Sequence, residues 1–275
     1  MANVVVGVAD GPFQEGACFQ SPEANNFHGK LPDGTPIVLK CLHTAGAVPE
    51  VPRLPWFLGA HNILRNHPHP YILPSLGLSQ YHPGYTTVVT LEHGHSILDS
   101  LWCMNNKEIL KMAIKLTRGV AHLHALGFPH GNIRASNVLV DDRWVLKLVD
   151  IGFSLLYSGE GFNLRTSCLS WTAPELLPDR EDEVVVEPTA ESDVYGLGMT
   201  ILEMYTGKPP FFGFPDVHRF NFWIKLKLEP SLIGRLTKPG NMPWGVWNII
   251  QDCWNMKPLQ RPTAYQVLVR LEALM

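Results

Sequence analysis

Apolar positions along this chain change their period from front to back. From Lys107 onward, Ile109, Met112, Ala113, Leu116, Val120 and Leu123 fall at helical spacing, and Gly127 follows as a C-terminal stop. Ser192 is placed to cap a second helix over Asp193 to Tyr205, stopped by Gly207. The segments Trp244 to Trp254 and Ala264 to Leu274 read as further helices. The front of the chain reads differently. Pro36-Ile37-Val38-Leu39-Lys40-Cys41-Leu42 is a strand run carrying one lysine, entered through the turn dipeptide Asp33-Gly34. Thr86 to Leu91 is a second strand, and Gln20 to His28 reads as an irregular hairpin. Between the strands, Leu58 to Asn66 predicts a short helix that ends at His67-Pro68. Two short runs, Asn137 to Val140 and Trp144 to Val149, form a hairpin around Asp141-Asp142.

Strands first and helices afterwards predict an α+β chain of two lobes. The sequence assigns a small antiparallel β-sheet lobe to about 1–92, a hinge to about 91–95 and a mostly helical lobe to about 96–275. No internal repeat appears, and the acidic stretch Asp179 to Glu191 reads as a solvated loop.

Composition narrows the function. The 275 residues suffice for a large core, and 45% hydrophobic with 17% charged residues suits a globular chain. A net charge of -3 gives no electrostatic case for nucleic acid or an anionic bilayer. No apolar run reaches the roughly 18 residues that a spanning helix needs. The five cysteines, Cys18, Cys41, Cys103, Cys168 and Cys253, are scattered, which predicts reduced thiols in a cytoplasmic protein. The histidine pairs His67/His69, His93/His95 and His122/His124 have no cysteine or carboxylate at ligand spacing, so no metal centre is expected from them.

The chemistry lies in an ordered set of motifs. His130-Gly131-Asn132-Ile133-Arg134-Ala135-Ser136-Asn137 is followed after about 12 residues by Asp150-Ile151-Gly152, and about 20 later by Ala173-Pro174-Glu175. Asp193-Val194-Tyr195-Gly196, Cys253-Trp254 and Arg261-Pro262 complete the series. Together these resemble the protein-kinase signature set over roughly residues 30–275, and Trp171-Thr172-Ala173-Pro174-Glu175 is similar to tyrosine-kinase-like sequences. The resemblance implies the two-lobed kinase-like fold, with Glu175, Asp193 and Arg261 as its structural residues.

It also implies a site. Lys40 matches the strand lysine that contacts nucleotide phosphates, and Asn137 and Asp150 match the two magnesium ligands. The nucleotide-binding set implied is Lys40, Val38, Thr90 as gatekeeper, Leu91 and His93 in the hinge, and Leu139. Asp150, Ile151, Gly152, Thr166, Ser167, Ser170 and Thr172 belong to the activation segment. Arg134 keeps a positive charge where a phosphate-contacting lysine often lies. The plainer readings are a surface lysine, a capping asparagine, a turn aspartate and ordinary core.

Several positions depart from the pattern. Asn132 replaces the proton-accepting aspartate, and loss of a general base costs about 10²–10⁴ in rate. Gly131 replaces the arginine that pairs with an activation-segment phosphate. Ala60 occupies the slot of the glutamate that orients the lysine, and Glu50 lies about three helical turns earlier. Val38 replaces a smaller alanine against the adenine, and Ile151 replaces a phenylalanine. Gly11 and Gly16 are the nearest candidates for a glycine-rich cover.

The expected function is a pseudokinase that interacts with a protein partner, an active kinase among the candidates, with weak binding of ATP and Mg. Two alternatives accompany it. One is a low-activity kinase. The other is a kinase-homology regulatory domain of a larger signalling protein, because the His130 to Asn137 run also resembles receptor guanylyl cyclases.

Overall fold

The computed structural model describes residues 19–20, 24–42, 54–79, 87–153, 169–177, 186–214, 222 and 229–275. They fall into two units. The first takes the described residues up to Pro68 together with Leu73–His93, and the second takes His69–Ile72 and the described residues from Gly94 on.

The first unit is a five-stranded antiparallel sheet with one helix. Its strands are β1 (Phe19–Gln20), β2 (Ala24–Lys30), β3 (Pro36–Leu42), β4 (Gly77–Ser79) and β5 (Thr87–Leu91), in the order β1-β2-β3-β5-β4. The expected Asp33-Gly34 turn joins β2 to β3, with the Asp33 carboxylate accepting from Thr35 N–H at 2.9 Å. Alternation along β3 buries Ile37, Leu39 and Cys41, while Val38 and Lys40 share the opposite, half-buried face. Ile37, Leu39 and Val89 form the core, with Phe27, Leu31, Leu76 and Leu91 packed around it.

The helix, α1, runs Leu54–Asn66, four residues earlier than the pattern suggested. Pro55 in its first turn is the start signal, since a proline there forfeits no helical hydrogen bond. Phe57, Ala60, His61 and Leu64 form its buried stripe. His61 Nδ1 accepts from Ser75 N–H at 2.7 Å, and Arg65 donates to the carbonyls of Ser75 and Leu76 at 2.5 and 3.1 Å. These bonds fix α1 to the chain that enters β4.

The second unit holds a small sheet of β6 (His95–Ser96), β7 (Val138–Val140) and β8 (Leu146–Leu148), and the remaining long helices. They are α2 (Asn106–Ala125), α3 (Ala190–Thr206), α4 (Trp244–Cys253) and α5 (Ala264–Glu272). All six residues of the periodic stripe on α2 are buried. Helix α3 begins earlier than predicted. Thr189 is its cap and Ser192 stands three positions inside, the two forming a reciprocal capping box, and Gly207 ends it with φ 65°. Ser192 through Tyr205 are all buried, which makes α3 the central helix of this unit.

No helix among the described residues is long and apolar enough to cross a membrane. Cys41, Cys103 and Cys253 are thiols rather than disulfide sulfurs, while Cys18 and Cys168 lie outside the described residues.

Candidate catalytic loop and nucleotide-binding residues

In the first unit, β3 and β5 pair Val38 with Thr90 and Lys40 with Val88. Thr90 is buried, and its hydroxyl lies 3.5 Å from the Val38 carbonyl oxygen. Leu91 and His93 are half-buried just beyond it. Glu92 N–H donates to Pro36 O at 3.1 Å, and its carboxylate lies 3.2 Å from His28 Nδ1, so the end of β5 is tied to β2 and β3. Ala60 is buried on α1, and α1 contains no acidic residue at all. Within that helix nothing can form the expected ion pair with Lys40, and Glu50 lies outside the described residues. Gly11 and Gly16, the candidates for a glycine-rich cover, lie outside the described residues.

In the second unit the catalytic loop hangs from α3. The Asp193 carboxylate accepts from His130 N–H at 2.6 Å and from Gly131 N–H at 2.8 Å, and lies 3.0 Å from His124 Nε2. Thr200 donates to Ile133 O at 3.0 Å. Glu203 Oε2 accepts from Ala135 N–H and from the Trp171 indole, each at 2.9 Å. Burial pushes the Glu203 carboxyl up to about 7, although both hydrogen bonds and the Arg134 charge oppose that rise. Arg134 itself is buried, so its charge acts inward on Glu203.

His130 is fully buried, and burial holds its imidazole below its ordinary pKa. The neutral ring uses both nitrogens. Nε2 lies 2.9 Å from Val149 O, and Nδ1 accepts from Asn132 N–H at 3.2 Å, which assigns the proton to Nε2. Asn132 is therefore held by its backbone in the same frame, half-buried, with Asn137 Nδ2 donating to its carbonyl at 2.9 Å. Gly131 sits at φ 81°, a left-handed conformation that a residue with a Cβ adopts only at about 1–2 kcal/mol. Gly131, Asn132, Trp171, Thr172 and Asp193 line a small cavity of about 30 Å³.

Asn137 and Asp150 are brought near each other by backbone pairing, since Val149 N–H donates to Asn137 O at 3.0 Å. The Asn137 amide spends Nδ2 on the loop, which leaves Oδ1, an acceptor, to offer a hard cation beside the Asp150 carboxylate. Asp150 lies at φ 63° and Gly152 at φ 72°, with Gly152 N–H returning to His130 O at 3.0 Å. The donor set thus fits magnesium. Ile151 is buried, and Leu139 is half-buried at the centre of β7. Ser170 and Thr172 are half-buried around the short turn Leu169–Trp171, and Thr166 and Ser167 lie outside the described residues.

The structural pair is fully formed. Arg261 grips Glu175 with two nitrogens at 2.6 and 2.8 Å, and also donates to Glu191 O and Asn255 O. Its side chain has no exposed surface. Among the described residues no group of three metal-binding side chains converges; His69 and His122 instead stack at 4.7 Å.

The sequence pattern did not single out Glu203, His61 or Arg65. A carboxylate in the apolar run Met199 to Tyr205 was the available signal for Glu203.

Comparison with known proteins agrees with this geometry. The family model for protein tyrosine and serine/threonine kinase matches residues 27–271. A protein named as a serine/threonine-protein kinase/receptor of Acanthamoeba polyphaga mimivirus is 28% identical over 74% of this chain and 12% of its own length. A protein named as a serine/threonine-protein kinase of Dictyostelium discoideum is 29% identical over 75% of this chain and 22% of its own. An RGS domain-containing serine/threonine-protein kinase of the same organism is 26% identical over 75% and 18%. The chain therefore spans less than a quarter of the length of these curated relatives. The family match across nearly the whole chain, on a strand-rich unit and a helical unit with the motifs in place, identifies it as a member of the protein tyrosine and serine/threonine kinase family.

Proposed function

We propose that this chain is a pseudokinase domain, strongly impaired in phosphoryl transfer, that acts as a protein-interaction or allosteric module. The observation that carries the reading is Asn132. It stands in a loop braced by Asp193, His130 and Asn137, yet it presents an amide where a proton acceptor is needed. An amide oxygen cannot take the proton of a substrate hydroxyl as a carboxylate can.

Further features support it. α1 offers no acid to orient Lys40. Gly131 supplies no guanidinium for an activation-segment phosphate. Val38 adds two methyl groups on the face that bears Lys40, and overpacking of that kind costs about 1–3 kcal/mol. ATP binding is weak in this reading. Asn137 and Asp150 would hold magnesium, and Lys40 would meet the phosphates. When bound, magnesium ATP supplies the phosphoryl group and the charge neutralisation of transfer. In this reading residues 1–275 are one kinase-like domain, with a sheet lobe to about residue 92 and a helical lobe from about 96.

A low-activity kinase is the second reading, favoured by the retained Lys40, Asn137 and Asp150, because phosphoryl transfer has a loose transition state that depends more on positioning than on a base. Transfer of labelled phosphate by the chain and by Asn132→Asp separates the two. The proposal expects none from the chain. Robust transfer by the unaltered chain favours the low-activity kinase.

A further inference from the structure

Helix α2 carries Lys111, Lys115 and Arg118 four and then three positions apart, so all three lie on one face. With Tyr71, Ile114, Glu272 and Met275 they line an open groove of about 360 Å³. The chain as a whole is net negative, yet this groove sets three cationic side chains against one side-chain carboxylate. That carboxylate is already engaged, with Glu272 Oε1 accepting from Arg118 Nε and Nη2 at 2.9 and 2.7 Å. Lys115 Nζ spends one of its three donors on Trp144 O at 2.8 Å. Lys111 has no carboxylate within ion-pair reach among the described residues.

The cations around the groove repel one another. Burial and the Lys111 charge hold the Lys115 ammonium below its ordinary range, against a smaller opposing pull from Asp141. Burial does the same to Lys147. His69 is pushed down to about 4 by burial, then by His122, Lys147 and Arg118.

We propose that this groove docks an extended acidic segment of a partner protein. Three features select that occupant. The cations are spread along the helix rather than converging, over about 10 Å from Lys111 to Arg118, which suits a chain of charges better than one phosphate. Successive turns of α2 rise about 5.4 Å, close to the roughly 6.6 Å between same-side residues of an extended strand, so alternate acidic residues meet successive cations. Tyr71 and Ile114 give the groove an apolar part, which matches acidic residues interleaved with apolar ones and is a concavity that a flat bilayer does not enter. The site is independent of whether the catalytic loop transfers phosphate.

Fluorescence anisotropy of the 275-residue chain with a labelled peptide of alternating glutamate and leucine tests this. The expected result is salt-sensitive binding that Lys111→Glu weakens by about tenfold or more and that the charge-matched Lys257→Glu leaves unchanged. Thermal melts confirm that each variant is folded, and Lys111→Ala gives a smaller loss in the same direction. No binding of the peptide, or equal losses in Lys111→Glu and Lys257→Glu, overturns the proposal. Preference for phosphatidylserine vesicles, or for inorganic phosphate alone, over the peptide also overturns it.

Discussion

Asn137 donates from Nδ2 to the carbonyl oxygen of Asn132 at 2.9 Å. In the proposed function the same side chain braces the loop and supplies its remaining oxygen to magnesium. Asn137→Ala removes both. The expected outcome is a stability loss of about 1 kcal/mol, the ordinary worth of such a bond, with loss of any magnesium-dependent rise in melting temperature with ATP. A variant that keeps the magnesium-dependent rise places the cation elsewhere.

Val38 shares the face of β3 that bears Lys40. Val38→Ala should tighten ATP binding by about fivefold or more, the lower end of what relieving an overpacked contact is worth. Isothermal titration of the two proteins measures it, and equal affinities would mean that Val38 does not limit the nucleotide.

Arg261 is fully buried and is held by Glu175, which remains partly exposed. Glu175→Ala leaves a buried guanidinium with two carbonyls and the Tyr195 ring but no counter-charge from Glu175, and should cost about 3 kcal/mol. Urea unfolding reads this as a lower midpoint at unchanged slope.

Glu203 gives a pH signature. Its carboxyl titrates near 4.5 when exposed and at about 7 in the fold, so the folded state holds the proton more tightly. The stability this group contributes is complete below about 4.5 and falls as pH rises through about 7. Glu203→Gln keeps an oxygen for Ala135 N–H and the Trp171 indole while removing the charge. Its stability should lack that decline between pH 4.5 and 7, as chemical denaturation across the interval would record.

Much of this fold was legible because its signals are local. The periodic stripe on α2, the alternation on β3 and the stop at Gly207 each reflect nearby residues alone. The start of α3 was displaced because Ser192 and Thr189 are both good caps, and the reciprocal bonds that select Thr189 are a three-dimensional fact. The site was legible as ordered motifs, so Asn132, Asn137, Asp150 and Asp193 could be named from the family resemblance that those motifs carry. What spacing could not give was the bracing. Glu203 joins Ala135 to Trp171 across long sequence separations, and Arg134 is buried rather than exposed. The left-handed backbone at Gly131 was equally hidden, and it explains structurally why glycine is comfortable where an arginine was expected.

The central claim is that Asn132 and its neighbours leave a kinase fold without effective phosphoryl transfer. The most direct measurement is transfer from radiolabelled ATP, with magnesium, by the chain and by Lys40→Ala side by side. The account predicts that the unaltered chain gives no more signal than Lys40→Ala. A clear signal from the chain that disappears in Lys40→Ala would contradict it.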